Sequence, residues 1–160
     1  MGMPFNADEV FEMAEQIEKN GAKFYRAAAK ELPAAKETLL ELAAMEDRHL
    51  KTFVDMRARL SAPEQEPLVF DPDGQAQSYL RVMAGEHVFD TRADPAKLLA
   101  GRKAGEILRM AIGMEKDSIV FYTALKESVS RKAGKDKVEA IIKEEMGHIV
   151  TLSEKLAAWK

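Results

Sequence analysis

The sequence predicts an all-α protein, a four-helix bundle made of two related helical hairpins, and three observations carry that reading. Long stretches rich in Ala, Leu, Glu and Lys repeat their apolar residues at helical spacing. Alternating β-branched runs of the kind that form strands are missing. The chain also repeats itself. IEKNGAKFY from Ile17 and MEKDSIVFY from Met114 share four of nine positions, and EDRHLKTF from Glu46 and EMGHIVTL from Glu145 share the Glu, the His and the Thr. Glu115 lies 97 residues after Glu18, while Glu145 and His148 lie 99 residues after Glu46 and His49. A repeat of that length is too long for a solenoid unit and suits a pseudo-symmetric bundle.

The elements follow in order. The first helix, about 6–31, starts at Asn6, whose side chain can cap it while Glu9, three residues on, completes a capping box. Pro33 opens the second, about 33–60. A crossover of about 61–101 follows, in which Pro63, Pro67, Pro72 and Gly74 forbid one continuous helix. Within it, 75–84 reads as a short helix, and Asp94-Pro95 reads as an N-cap followed by proline at the first helical position. The third long helix spans about 102–130. After an RKAGK turn, Asp136 with Glu139 reads as another capping box for a fourth helix of about 136–159. All 160 residues form a single domain in this reading.

Composition narrows the function. With 24 Lys plus Arg against 27 Asp plus Glu, the net charge of −3 gives no general attraction to nucleic acid or to an anionic membrane. No apolar run reaches the roughly 18 residues of a membrane span, and MGMPFNADEVFEM has neither part of a signal peptide, so a cytoplasmic protein is expected. The absence of Cys removes disulfides, thiol catalysis, thiolate zinc sites and cysteine-ligated iron–sulfur centres, leaving His and carboxylates as metal ligands.

Residues seven apart lie nearly on one line along a helix, and this test shows where the repeated Glu and His point. Phe11, Glu18, Tyr25 and Leu32 align on the first helix, and Leu39, Glu46, Phe53 and Leu60 on the second, beside Leu42, His49 and Met56. Leu108, Glu115, Tyr122 and Val129 align on the third, and Val138, Glu145, Leu152 and Trp159 on the fourth, beside Ile141 and His148. Each helix therefore places a carboxylate in the middle of its apolar face, which ordinary surface charges paired with Lys and Arg would not do. Four converging carboxylates repel one another unless protons or cations compensate them. Two divalent metals would balance them, with two neutral imidazoles completing the set, an arrangement already known from di-iron and di-manganese bundles.

The two E-x-x-H motifs, each with a preceding Glu on the neighbouring helix, make the chain resemble the ferritin-like superfamily and, within it, the rubrerythrin-like di-iron proteins. The resemblance implies Glu18, Glu46, His49, Glu115, Glu145 and His148 as metal ligands, with Glu46 and Glu145 bridging. It also implies that Tyr25 and Tyr122, seven residues after the single Glu ligands, hydrogen-bond those carboxylates. From the residues alone, a core aromatic with its hydroxyl satisfied elsewhere is an equal reading for each Tyr. The chain departs from typical rubrerythrins in two ways. It has no Cys for a rubredoxin-like domain, and Ser118 stands where they carry an additional Glu three residues after the third-helix ligand. Bacterioferritin-like proteins share the symmetric ligand set but carry a haem-binding Met after the first E-x-x-H Glu; here Asp47 follows Glu46, so neither haem nor a cage is implied.

Other charged positions carry less. His87 sits in the crossover with no partner at metal spacing and reads as a surface or packing His. Glu106 and Glu144 read as solvent-facing or capping charges, although Glu144, beside a ligand, could support the site.

The function expected from this set is a di-iron carboxylate oxidoreductase that reacts Fe(II) with peroxide or O₂, with manganese or zinc as substitutes for iron and no haem or iron–sulfur group. Iron binding without turnover, for buffering or sensing, is the alternative. An external electron donor would serve a catalytic role. Val69, Phe70, Tyr79, Leu80, Val82, Met83, Val88 and Phe89 lie in a crossover that a minimal bundle does not need. They pack either against the outside of their own bundle or, as the ferritin-like resemblance implies, in the interface of a two-fold homodimer, which is the assembly expected.

Overall fold

Four long helices carry the described part of the chain, and two short ones lie between the second and third of them. The structure, a computed structural model, describes residues 6–60, 73–85 and 94–159. Helix α1 spans Ala7–Glu31. The Asn6 side chain accepts from the Glu9 N–H and the Glu9 carboxylate accepts from the Asn6 N–H, both at 2.9 Å, so the expected capping box is present. Pro33 opens a 3₁₀ turn, Pro33–Ala35, and α2 follows as Lys36–Ala58. In the crossover, α3 is Gln75–Gly85 and α4 is Pro95–Leu99, with Asp94 accepting from the Ala96 N–H at 3.0 Å as its N-cap. Helix α5 spans Ala104–Ser128 and α6 spans Lys135–Ala158.

One predicted helix cap is corrected. The capping box of Asp136 and Glu139 is not how α6 starts; the helix begins at Lys135, with Gly134 as its N-cap at φ 113°. That left-handed backbone favours glycine, and a Cβ there would lie 2.6 Å from Met56 Cε, so both the turn and the packing call for Gly. At the other end Trp159 is the C-cap and 38% exposed, and the buried line of α6 stops at Leu152.

Helices α1 and α2 pack closely as one hairpin and α5 and α6 as the other, with α1 also against α5 and α2 against α6. The core falls into two apolar clusters. Phe11, Phe53, Tyr122 and Val138 belong to one, and Tyr25, Leu39, Leu108 and Leu152 to the other. On each of the four heptad lines the Glu lies between a residue of the first cluster and a residue of the second. The polar residues thus form a layer across the bundle with an apolar cluster on either side.

The described parts of the crossover pack on their own bundle. Leu80 is buried in the first cluster with Tyr79 and Met83 against it, and Leu99 is buried in the second. Val82 is exposed, and Val69, Phe70, His87, Val88 and Phe89 lie outside the described residues. No described helix is long and apolar enough to cross a membrane.

Candidate metal centre

Each long helix delivers its carboxylate to the polar layer because the Glu interrupts an otherwise apolar stripe. Glu18 comes from α1, Glu46 and His49 from α2, Glu115 from α5, and Glu145 and His148 from α6; all six are at most 4% exposed. The i, i+3 spacing puts each His on the same helix face as its Glu. His148 Nδ1 lies 2.8 Å from Glu145 Oε2, 3.2 Å from Glu115 Oε1 and 3.3 Å from Glu46 Oε1. His49 Nδ1 lies 3.2 Å from Glu145 Oε1 and 3.6 Å from Glu18 Oε2. The two imidazoles stack with centroids 5.8 Å apart and planes at 18°.

These side chains form two overlapping constellations. Glu18, Glu46, His49 and Glu145 make one, Glu46, Glu115, Glu145 and His148 the other, and within each a donor atom from every residue lies within 4.8 Å of the rest. Glu46 and Glu145 belong to both. Beside the cluster, each tyrosine bonds across to the other hairpin: Tyr25 donates to Glu115 and Tyr122 donates to Glu18. The sequence leaves two readings for these tyrosines, and here each hydroxyl finds its partner on a clustered carboxylate.

Burial governs the protonation of the site. It pushes the Glu18 carboxyl well above its usual range, with the Glu46 charge adding to the effect. Burial also raises Glu46 and Glu115 to about 7. It works against the charged form of both imidazoles, but the surrounding carboxylates outweigh it, Glu145 and Glu18 raising His49 to about 11 and Glu115, Glu145 and Glu46 raising His148 to about 12. Glu145 goes the other way; burial opposes its charge, yet the imidazoles of His148 and His49 beside it take it down to about 2. Burial holds both tyrosines well above the usual phenol value, so they remain donors.

No family model matches the chain, and no curated protein matches it. Among solved structures, the fold is similar to that of a Thermotoga maritima protein described as a candidate ferritin-like diiron-carboxylate protein, known at 2.30 Å resolution. The similarity has a TM-score of 0.72 at 24% identity and covers 100% of both chains.

The chain has the ferritin-like fold.

Within this ferritin-like bundle the cluster fits a di-iron site. The inward atoms Glu18 Oε2, Glu46 Oε1, His49 Nδ1 and both Glu145 oxygens are buried without a hydrogen-bond partner, as donors awaiting cations would be. The donor set of hard carboxylates with imidazole suits iron or manganese.

Two features of the site, at Gly21 and Met45, were not predicted from the sequence. A Cβ at Gly21 would run into the Glu46 carboxylate, so this glycine in the middle of α1 makes room for a shared carboxylate. Its spacing of three after Glu18 was the available signal. Met45 Sδ lies 3.3 Å from His148 Nε2. Glu144 Oε2 lies 2.7 Å from His49 Nε2, which gives the residue the supporting place that its neighbour Glu145 suggested. Ser118 Oγ donates to the Met114 carbonyl at 3.0 Å. Glu106 caps α5 by accepting from the Lys103 N–H at 2.9 Å.

Proposed function

We propose that this protein is a di-iron carboxylate oxidoreductase of rubrerythrin-like type, in which Fe(II) reacts with peroxide or O₂. The observation that carries the reading is the sharing of Glu46 and Glu145 between two four-residue constellations, each with its own His and its own third carboxylate. Glu18 and His49 would hold one ion, Glu115 and His148 the other, and Glu46 and Glu145 would bridge them. A ferrous pair held there would supply two electrons to peroxide or O₂.

The chain's own residues prepare that chemistry. Four carboxylates offset the charge of two divalent cations, and hard oxygen donors favour the ferric state. Tyr25 and Tyr122 fix the terminal carboxylates by hydrogen bonds from opposite hairpins. The two apolar clusters keep water from the axial ends of the layer.

With no Cys in the chain, turnover draws electrons from a separate reductant that docks near a ligand-bearing helix. The assembly proposed is a homodimer that uses the crossover, where Val82 is 56% exposed on α3. The test of function is direct. Protein loaded with Fe(II) without oxygen is mixed with O₂ or with hydrogen peroxide, and iron oxidation is followed. Oxidation faster than that of free Fe(II) supports the proposal; bound iron oxidised no faster than free iron points to buffering or sensing instead.

A further inference from the structure

The bundle repeats its ligands across its two halves, but not the groups behind its two imidazoles. Met45 and Glu144 are equivalent positions, 99 residues apart, each immediately before a shared Glu. Each reaches the His of the opposite helix. Glu144 Oε2 lies 2.7 Å from His49 Nε2, while Met45 Sδ lies 3.3 Å from His148 Nε2.

We infer that the two cation positions are unequal and that the one built on Glu18 and His49 fills first, because a carboxylate backs His49 where a thioether backs His148. This rests on the metal-centre reading above. Both imidazoles turn Nδ1 toward the carboxylates and Nε2 outward. A His that binds a cation through Nδ1 carries its proton on Nε2 and needs an acceptor there. Glu144 is a strong, charged acceptor, and it holds the ring orientation and makes Nδ1 a better donor. Met45 offers only a weak acceptor and no charge.

Among the described residues, the remaining surroundings do not distinguish the positions in this way. The tyrosine bonds are matched, Tyr122 on Glu18 and Tyr25 on Glu115. Gly21 adds no donor, and Ser118, its counterpart 97 residues on, spends its hydroxyl on the Met114 carbonyl. Glu144 is also half in water, with 48% of its side chain exposed, so its charge carries little desolvation cost.

Carboxylates behind metal-bound His are worth about 10- to 100-fold in affinity, and that is the expected gap between the two binding steps. The experiment titrates the full-length metal-free chain with Zn²⁺ and with Co²⁺, without oxygen, against a chromophoric chelator, and native mass spectrometry counts bound ions. In the wild type the singly loaded species dominates at one equivalent, and the first Co²⁺ perturbs the imidazole N–H proton resonance of His49 before that of His148. E144M, which makes both halves alike, weakens the first step by about 10-fold or more and shrinks the singly loaded population. E144D retains the gap. M45E tightens the second step, a gain that damage to the fold does not produce. Two bound ions whose separation is unchanged by both E144M and M45E overturn this inference alone. A wild type that takes up no cation overturns the metal-centre reading and this inference together.

Discussion

Tyr25 gives its hydroxyl hydrogen to Glu115 on the opposite hairpin, although Glu18 lies one heptad before it on its own helix. Tyr122 returns the bond to Glu18. The pair therefore couples α1 to α5 through two buried hydrogen bonds that neither hairpin can make alone. Y25F or Y122F should each lower the unfolding free energy by about 1–3 kcal/mol, the usual cost of leaving a buried acceptor without its donor. Urea unfolding of the metal-free protein measures it, and an unchanged midpoint in both variants would show that the bonds carry no net stability.

The shared carboxylates make the sharpest test of the centre. Wild-type protein loaded with Fe(II) should hold about two ions per chain. The double variant E46A/E145A removes a donor from both constellations at once and should hold far less than one. Elemental analysis after desalting decides this, and a double variant that still carries two ions would show that the ligands lie elsewhere.

Gly21 separates metal binding from stability by sign. Glycine inside a helix usually costs about 0.5–1 kcal/mol relative to alanine, so G21A should leave the metal-free protein as stable as the wild type or slightly more so. The new methyl group must displace the Glu46 carboxylate, the movable end of its side chain, so metal affinity should fall. Thermal unfolding with and without Zn²⁺ reads both effects. Wild-type affinity in G21A would mean that Glu46 has room to bind without this gap.

Without metal, the protein should lose stability as the pH rises from 5 to 8. Glu46 and Glu115 keep their protons up to about 7, above the ordinary value of 4.5, so the folded state binds protons that the unfolded chain has released and the cost of ionising them grows between those values. His49 and His148, raised to about 11 and about 12 from 6.5, contribute stability that is whole below 6.5 and drains away as the pH climbs toward those higher values. Cations replace these protons, so the gain in melting temperature on metal addition should be larger at pH 8 than at pH 5.5. Calorimetry at both values checks it, and an equal or reversed gain would contradict proton displacement.

The proposed dimer is tested by light scattering at micromolar concentration. A particle of twice 17.8 kDa is expected, and V82E on the exposed side of α3 should weaken it. A 17.8 kDa particle for the wild type would rule the dimer out.

The helices and the six clustered residues were legible in the sequence because both depend on spacing within one helix. A Glu every heptad line, flanked by Phe, Tyr, Leu and Val, specifies an inward carboxylate without knowledge of any neighbour. What the spacing could not reveal depends on approach between helices. Which carboxylate each tyrosine reaches, the room beside Gly21 and the partners of Met45 and Glu144 all follow from distances across the bundle. The cap of α6 differs from the expected one for another reason: Asp136 and Glu139 have the right spacing for a capping box, but Gly134 takes the left-handed turn first.

The polar layer between the two apolar clusters also sets the alignment of the helices. Coiled helices with uniform apolar stripes can slide past one another by a heptad and still bury their faces. Here such a slip would push Glu18 toward the level of Phe11 or Tyr25 and Glu46 toward that of Leu39 or Phe53. A lone carboxylate there would face hydrocarbon with no imidazole, phenol or cation to answer it, at a cost of several kcal/mol. The groups that hold the cations are thus a key cut into the bundle, excluding mismatched pairings of the hairpins before any metal arrives.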